Sequence, residues 1–301
     1  MQSWYRGDAK SIIYRFNDLS KAEQAALIAF LDEKFPPETV KKHIHRRRKA
    51  LENLSTNRTI LSRSTQRYPE TIASNTVSSS AGDLKGNAVV LTAGGEGERL
   101  RLSLETEGAA PELLKNFTKA TFPLPGFYRN FGALHTNLAL LSRLCRDTGI
   151  DIPVIVTTGP PSSKTAQIIP EVLEENNFFG LKHVQVINQD ERLHLSGDEQ
   201  IAYTVSGNQA RPVTHPDETG GPIMKLKKLV PGTSCSTLDW CKDLGCTKLV
   251  LLQATALYDP NMITTIASTG KQYDGLGVGI ARETFPEDDP YGTFILVEQG
   301  R

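Results

Sequence analysis

From residue 85 onward, short runs rich in branched residues and leucine alternate with longer stretches whose apolar residues return at helical spacing. The runs at 88–91, 154–157, 184–187 and 249–252 are predicted strands, and the stretches at 132–147, 163–176 and 237–244 are predicted helices. Continuous apolar strands separated in this way predict a parallel sheet covered on both faces. The first part of the chain reads differently. Ser20-Lys21-Ala22-Glu23 has the form of a capping box, with Leu19 placed as a staple, ahead of Ala26, Leu27, Phe30 and Leu31 at helical spacing. That helix is expected to stop before Pro36-Pro37. The small polar residues at 74–83 read as a linker or loop. Residues 1–84 are therefore expected to form an N-terminal helical accessory region, and 85–301 an α/β core.

Composition narrows the partners. With 39% hydrophobic and 23% charged residues the chain has an ordinary globular make-up, and its 34 basic residues balance its 34 acidic ones. A zero net charge gives no global attraction to nucleic acid or to an anionic membrane. The run Lys41-Lys42-His43-Ile44-His45-Arg46-Arg47-Arg48-Lys49 has no interleaved aromatics for stacking bases, so it is expected to be a solvated helix surface. The opening Met1-Gln2-Ser3-Trp4-Tyr5-Arg6 lacks the apolar core of a signal peptide, and no run is long enough to span a bilayer. A cytoplasmic location is expected. Cys145, Cys235, Cys241 and Cys246 contain no CxxC pair and are expected to be buried or free thiols.

The candidate chemistry begins where the first predicted strand ends. Val89-Val90-Leu91-Thr92-Ala93-Gly94-Gly95-Glu96-Gly97-Glu98-Arg99-Leu100 runs an apolar strand into three glycines and then an arginine. Glycines at 94, 95 and 97 allow φ > 0 and a close approach of backbone N–H groups to an anion, while a guanidinium supplies a permanent, bidentate charge. A Walker loop would need Lys-Ser/Thr directly after its last glycine, and a dinucleotide fingerprint would need Gly or Ala where Leu100 stands. Neither fits. Downstream, Asn116-Phe117-Thr118-Lys119-Ala120 places Lys119 before a Pro/Gly turn, with Lys115 as a second candidate cation.

The order Ala-Gly-Gly-x-Gly-x-Arg-Leu resembles the signature of sugar-1-phosphate nucleotidyltransferases, and more closely that of UDP-sugar pyrophosphorylases. The resemblance extends to Ile152-Pro153-Val154-Ile155-Val156-Thr157-Thr158-Gly159, to Asn177-Phe178-Phe179-Gly180-Leu181 followed by Val186-Ile187-Asn188-Gln189, and to His215-Pro216-Asp217-Glu218-Thr219-Gly220-Gly221-Pro222. It implies a Rossmann-like, GT-A-like nucleotidyltransferase fold: a mostly parallel sheet with flanking helices and an N-terminal helical region. It implies that Ala93, Gly94, Gly95 and Gly97 cradle a nucleotide, that Arg99 and Lys119 act on its phosphates, and that Gln189, Gly220 and Gly221 meet uracil. Thr118 stands where the family has proline, and Glu218 where it usually has glycine. The implied partners are UTP and a sugar 1-phosphate, with Mg²⁺ expected alongside UTP, and the implied products are UDP-sugar and pyrophosphate.

The last family segments depart further. Leu249-Val250-Leu251-Leu252-Gln253-Ala254-Thr255-Ala256-Leu257-Tyr258-Asp259-Pro260 resembles the segment holding the family's Val-Asp-Asn motif, but Ala254-Thr255-Ala256 replaces its metal-side aspartate. A neutral Thr255 lacks the anionic oxygen that Mg²⁺ prefers. Gly292-Thr293-Phe294-Ile295-Leu296-Val297-Glu298 resembles a later family strand, so that residues 15–301 match about the front two-thirds of the family pattern. These departures keep open a second expectation, a uridine-nucleotide-binding or regulatory protein without catalysis, or a truncated one.

Overall fold

The computed structural model describes residues 5, 10–61, 66–67, 79–115, 117–128, 131–196, 199–207, 209–216, 220–230, 233–270 and 296–297. The described residues of Met1–Thr71, Glu191–His215 and Arg282–Arg301 make one compact unit, and those of Ile72–Asp190 and Pro216–Ala281 make another. This division does not follow the expected boundary at residue 84, because Glu191–His215 groups with the N-terminal segment.

In the first unit, α1 (Lys21–Lys34) starts at the capping box: Ser20 Oγ accepts from the Glu23 N–H at 3.3 Å and Glu23 Oε2 accepts from the Ser20 N–H at 2.7 Å. Leu27, Ile28 and Leu31 form its buried face. The antiparallel hairpin Tyr203–Ser206 with Gln209–Pro212 packs against that helix, and the Arg211 guanidinium lies 4.8 Å from the centre of the Phe30 ring. Helix α2 (Pro37–Leu61) carries the basic run. The run is not only a solvated surface. Arg47 Nη1 donates to the Leu195 carbonyl at 2.8 Å, and Arg48 grips the Glu199 carboxylate with Nε at 2.6 Å and Nη2 at 2.5 Å.

The second unit is an α/β sandwich. Its strands β1 (Asn87–Thr92), β2 (Val154–Thr158), β3 (Val184–Asn188) and β4 (Lys248–Gln253) are all parallel, in the order β3-β2-β1-β4. Its longer helices are α3 (Glu98–Thr106), α4 (Ala133–Thr148), α5 (Lys164–Glu175), α6 (Thr237–Asp243) and α7 (Pro260–Thr269), with short helices at Pro111–Lys115 and Gly220–Lys225. The pleat sends alternate residues to opposite faces. Val89, Leu91, Val154, Val156, Val250 and Leu252 join one core with Leu138 and Leu141 of α4, Ile169 of α5 and Ile263 of α7. Ala88, Val90 and Ile155 face the other way, towards Leu226 and Cys241. Each fully buried branched side chain in such a core contributes about 1.5–3 kcal/mol.

The expected four-strand parallel sheet is present, with each strand one or two residues longer than its apolar run. The expected cover on both faces holds for β1 and β2 but not for β4. There Val250 and Leu252 are buried while Leu249 and Leu251 are 41% and 45% exposed, the alternation of an edge strand with one face open among the described residues. The parallel sheet is compatible with a Rossmann-like fold. Because β2 and β3 lie on one side of β1 and β4 on the other, the strand order reverses at β1, and ligands of open α/β sheets bind at the carboxyl ends of strands at such a point. Among the described residues no helix is long and apolar enough to cross a membrane.

Candidate nucleotide site

The glycine loop leaves the carboxyl end of β1 at the point where the strand order reverses. Ala93 is buried, and its N–H donates to the Thr157 carbonyl at 2.8 Å, which holds the start of the loop against β2. Gly97 caps α3 in the left-handed region, at φ 77° and ψ 34°. A Cβ there would lie 2.9 Å from Lys119 Cβ and 3.0 Å from Phe117 Cε1, so both conformation and space demand glycine. Gly94 needs glycine for a different reason. Its φ is not positive, but a Cβ would lie 2.8 Å from Gln189 Oε1. Gly95 has neither a positive φ nor a neighbour within 4 Å of a Cβ. Of the three glycines, Gly97 alone uses the left-handed backbone that glycine allows.

Glu96 fastens the middle of the loop: its Oε1 accepts from the Lys164 N–H, the first residue of α5, at 2.8 Å. A carboxylate at that helix terminus is favoured by the unpaired amides and the helix dipole. Arg99 sits exposed in the first turn of α3, whereas Arg101 is bound to Glu98 at 2.6 Å and to Glu105. Lys119 and Lys115 are also exposed, and among the described residues no carboxylate pairs with any of Arg99, Lys115 or Lys119.

The turn that carries Lys119 is built by its neighbour Thr118. The buried Thr118 places its Oγ1 2.7 Å from Thr121 Oγ1 and accepts from the Thr121 N–H at 3.2 Å. The Ala120 carbonyl then accepts from the Leu134 N–H at 2.9 Å, and a Cβ at Gly132 would lie 2.6 Å from the Thr121 carbonyl carbon. The turn therefore rests directly on the start of α4. There the His135 ring stacks 4.9 Å from Phe131, and its Nδ1 accepts from the Gly132 N–H at 3.2 Å. Burial holds the His135 pKa below its ordinary value, against a smaller opposing effect of Glu175.

Gln189 follows β3 and is 6% exposed; its N–H donates to the Thr158 carbonyl at 3.0 Å, and its side-chain amide lies against Gly94. The next residue, Asp190, accepts from Lys225 Nζ at 2.8 Å and from Lys228 Nζ at 2.5 Å. Partial burial pushes this carboxyl up, but the two ammonium groups outweigh it and hold it below the usual aspartate value. Gly220 and Gly221 open the short helix Gly220–Lys225. Asp217, Glu218 and Thr219 of the predicted uracil loop, and the matched segment at 292–295, lie outside the described residues.

The loop after β4 is stitched by a buried asparagine. Asn137 Nδ2 donates to the Ala256 carbonyl at 2.6 Å, Asn137 Oδ1 accepts from the Tyr258 N–H at 3.3 Å, and Tyr258 Oη accepts from the Gln253 N–H at 2.8 Å. Thr255 lies in this loop, and no three His, Cys, Asp or Glu side chains among the described residues form a metal-binding group. The described residues therefore offer Mg²⁺ no cage built from protein side chains alone, whereas this ion commonly binds through one or two carboxylates together with substrate phosphates.

Of the sequence-predicted residues, the structure joins Gly94 to Gln189 and Gly97 to Lys119, and sets Arg99 in the helical turn that Gly97 caps. All belong to one compact unit. Sequence reasoning missed Glu96, Gly132, Asn137 and Asp190 with its two lysines. Only Gly132 carried a readable signal, a glycine at the start of a predicted helix where no cap hydroxyl stands. No known protein-family model matches this chain, and no curated protein matches it.

Proposed function

We propose that the chain is a uridylyltransferase that joins UTP and a sugar 1-phosphate, of N-acetylglucosamine or glucose, into UDP-sugar and pyrophosphate. The observation that carries the reading is convergence: one glycine loop is in contact with Lys119 at Gly97 and with the Gln189 carboxamide at Gly94. Such a loop serves both ends of a nucleotide. A carboxamide offers a donor and an acceptor to the alternating groups on the uracil edge, while loop amides and cations with no carboxylate partner among the described residues suit phosphates.

The reaction needs no covalent protein nucleophile. A sugar-phosphate oxygen attacks the α-phosphorus of UTP in line, the bond to the bridging oxygen breaks, and pyrophosphate leaves with that electron pair. Arg99 and Lys119 hold the triphosphate and offset the charge that grows on the leaving group, so the rate gain comes from positioning and electrostatics.

A thermal-shift series with UTP, CTP, ATP and GTP, followed by an assay of pyrophosphate release with each sugar phosphate, tests this. UTP should raise Tm most, since a ligand that binds only the native state stabilises it by mass action. Equal shifts with all four nucleotides would remove the uridine assignment. The neutral Thr255 favours a second reading, a uridine-nucleotide-binding protein without turnover. Selective UTP binding with no pyrophosphate release from either sugar phosphate would establish it.

A further inference from the structure

The proposed function makes no use of Asp190, yet this carboxylate holds two ammonium groups at once, Lys225 Nζ at 2.8 Å and Lys228 Nζ at 2.5 Å. The two lysines stand one helical turn apart, and the Lys228 N–H donates to the Lys225 carbonyl at 2.9 Å, so both side chains reach the same point. The Lys225 side chain is 26% exposed and that of Asp190 39%, while Lys228 is 61% exposed. An ion pair this open to water is worth little as stability, but a carboxylate shared between two lysines of one turn fixes how that turn sits.

This clamp ties together the two segments expected to meet uracil, and the 220–225 helix packs against β3. Asp190 is joined by one peptide bond to Gln189, whose amide lies against Gly94. Lys225 ends the six-residue helix that Gly220 and Gly221 begin, so the glycines lie within about 9 Å of the clamped end. Leu226, 1% exposed, adds a second hold just beyond the helix, and its carbonyl accepts from the Leu238 N–H at 3.0 Å. The helix thus has a fixed foot, and the carboxylate that fixes it is the neighbour of the Gln189 amide that lies against Gly94.

We propose that Asp190 is a positioning residue: by gripping Lys225 and Lys228 it sets the Gly220–Lys225 helix in register with Gln189, so that the nucleobase, and not the phosphate chain, depends on it. The proposal rests on the uridine reading of the site. The phosphate-facing groups, Arg99, Lys119 and the loop at Gly97, share no described contact with this clamp, which makes the two ends separable in a measurement.

The full chain and its Asp190→Asn variant are compared by titration calorimetry with UTP and with inorganic triphosphate, and by hydrogen exchange of the 220–225 amides without ligand. The expected result is a roughly tenfold loss of UTP affinity, the equivalent of about one charge-assisted hydrogen bond, with triphosphate affinity unchanged and faster exchange at 220–225. Asp190→Glu, which keeps the charge, should recover part of the UTP affinity. Parallel losses of UTP and triphosphate binding, or exchange at 220–225 unchanged by Asp190→Asn, would overturn the proposal. A wild-type chain that binds triphosphate but does not prefer UTP would instead overturn the uridine reading, and the clamp's role in placing a base would fall with it.

Discussion

Three glycines stand within four residues at the candidate site, and they bear different physical demands. Gly97 combines φ 77° with a close approach to Lys119, so Gly97→Ala meets both backbone strain and a clash and should destabilise the protein by about 1–3 kcal/mol in chemical denaturation. Gly94→Ala has to displace only the Gln189 amide, the end of a side chain, so it should cost little stability and much UTP affinity. Gly95→Ala should leave stability unchanged or slightly raised, because a Cβ there meets open space and the unfolded chain loses freedom. A Gly95→Ala variant as damaged as Gly97→Ala would refute this loop geometry. Arg99 makes the complementary case. It is exposed and has no carboxylate partner among the described residues, so Arg99→Ala should leave Tm near the wild-type value while weakening triphosphate binding by about 1.5–3 kcal/mol. Unfolding of that variant would make Arg99 a structural residue.

Elements that own their apolar pattern were legible in the chain, and those defined by a distant partner were not. β1 to β3 and helices α1, α4 and α5 follow from runs, spacing and caps within about 16 residues. The hairpin Tyr203–Ser206 with Gln209–Pro212 is too polar and short to stand out, and it is held by α1, some 180 residues earlier in the chain. At the site the glycine loop stood out because its spacing carries a shape, whereas Lys119 and Gln189 were singled out by the resemblance and not by their own spacing. Glu96 and Asp190 could not be read, since a carboxylate that caps a helix or grips two lysines looks the same in sequence as one in water. Thr118 illustrates a third case: its hydroxyl makes the turn itself through Thr121, a role that a lone threonine does not announce in sequence.

That same turn gives an acid response. His135 accepts the Gly132 N–H on Nδ1, a bond that imidazolium cannot accept, and its folded-state pKa lies below the unfolded value near 6.5. Between those two values the unfolded chain binds the extra proton, so stability rises with pH across that window. It is fully present above about pH 6.5 and declines as pH falls towards the lower folded value. Denaturation curves at half-unit steps should show this slope in the wild type and its absence in His135→Gln. A slope that survives the substitution would have another origin.

At the scale of the molecule, the balanced charge leaves no field to pull in a polyanion, and part of the one basic run is engaged in holding Leu195 and Glu199. Under the proposed function, nucleotide capture would rest on the local arrangement of loop, cations and amide, all of which lie in the unit formed by the described residues of Ile72–Asp190 and Pro216–Ala281. Binding energy then protects the backbone that touches the ligand: at a concentration about 100 times Kd, the bound state gains about 2.7 kcal/mol over any opening that releases the nucleotide. Hydrogen exchange with and without saturating UTP should show this as slowed exchange at 93–97, 119–122, 189 and 220–225. The hairpin Tyr203–Ser206 with Gln209–Pro212 belongs to the other unit and should exchange at the same rate in both conditions. Slowing at the hairpin without slowing at 93–97 would move the nucleotide away from the glycine loop. Slowing at 93–97 and 119–122 alone would keep a triphosphate site and remove the base contacts at Gln189, Gly220 and Gly221.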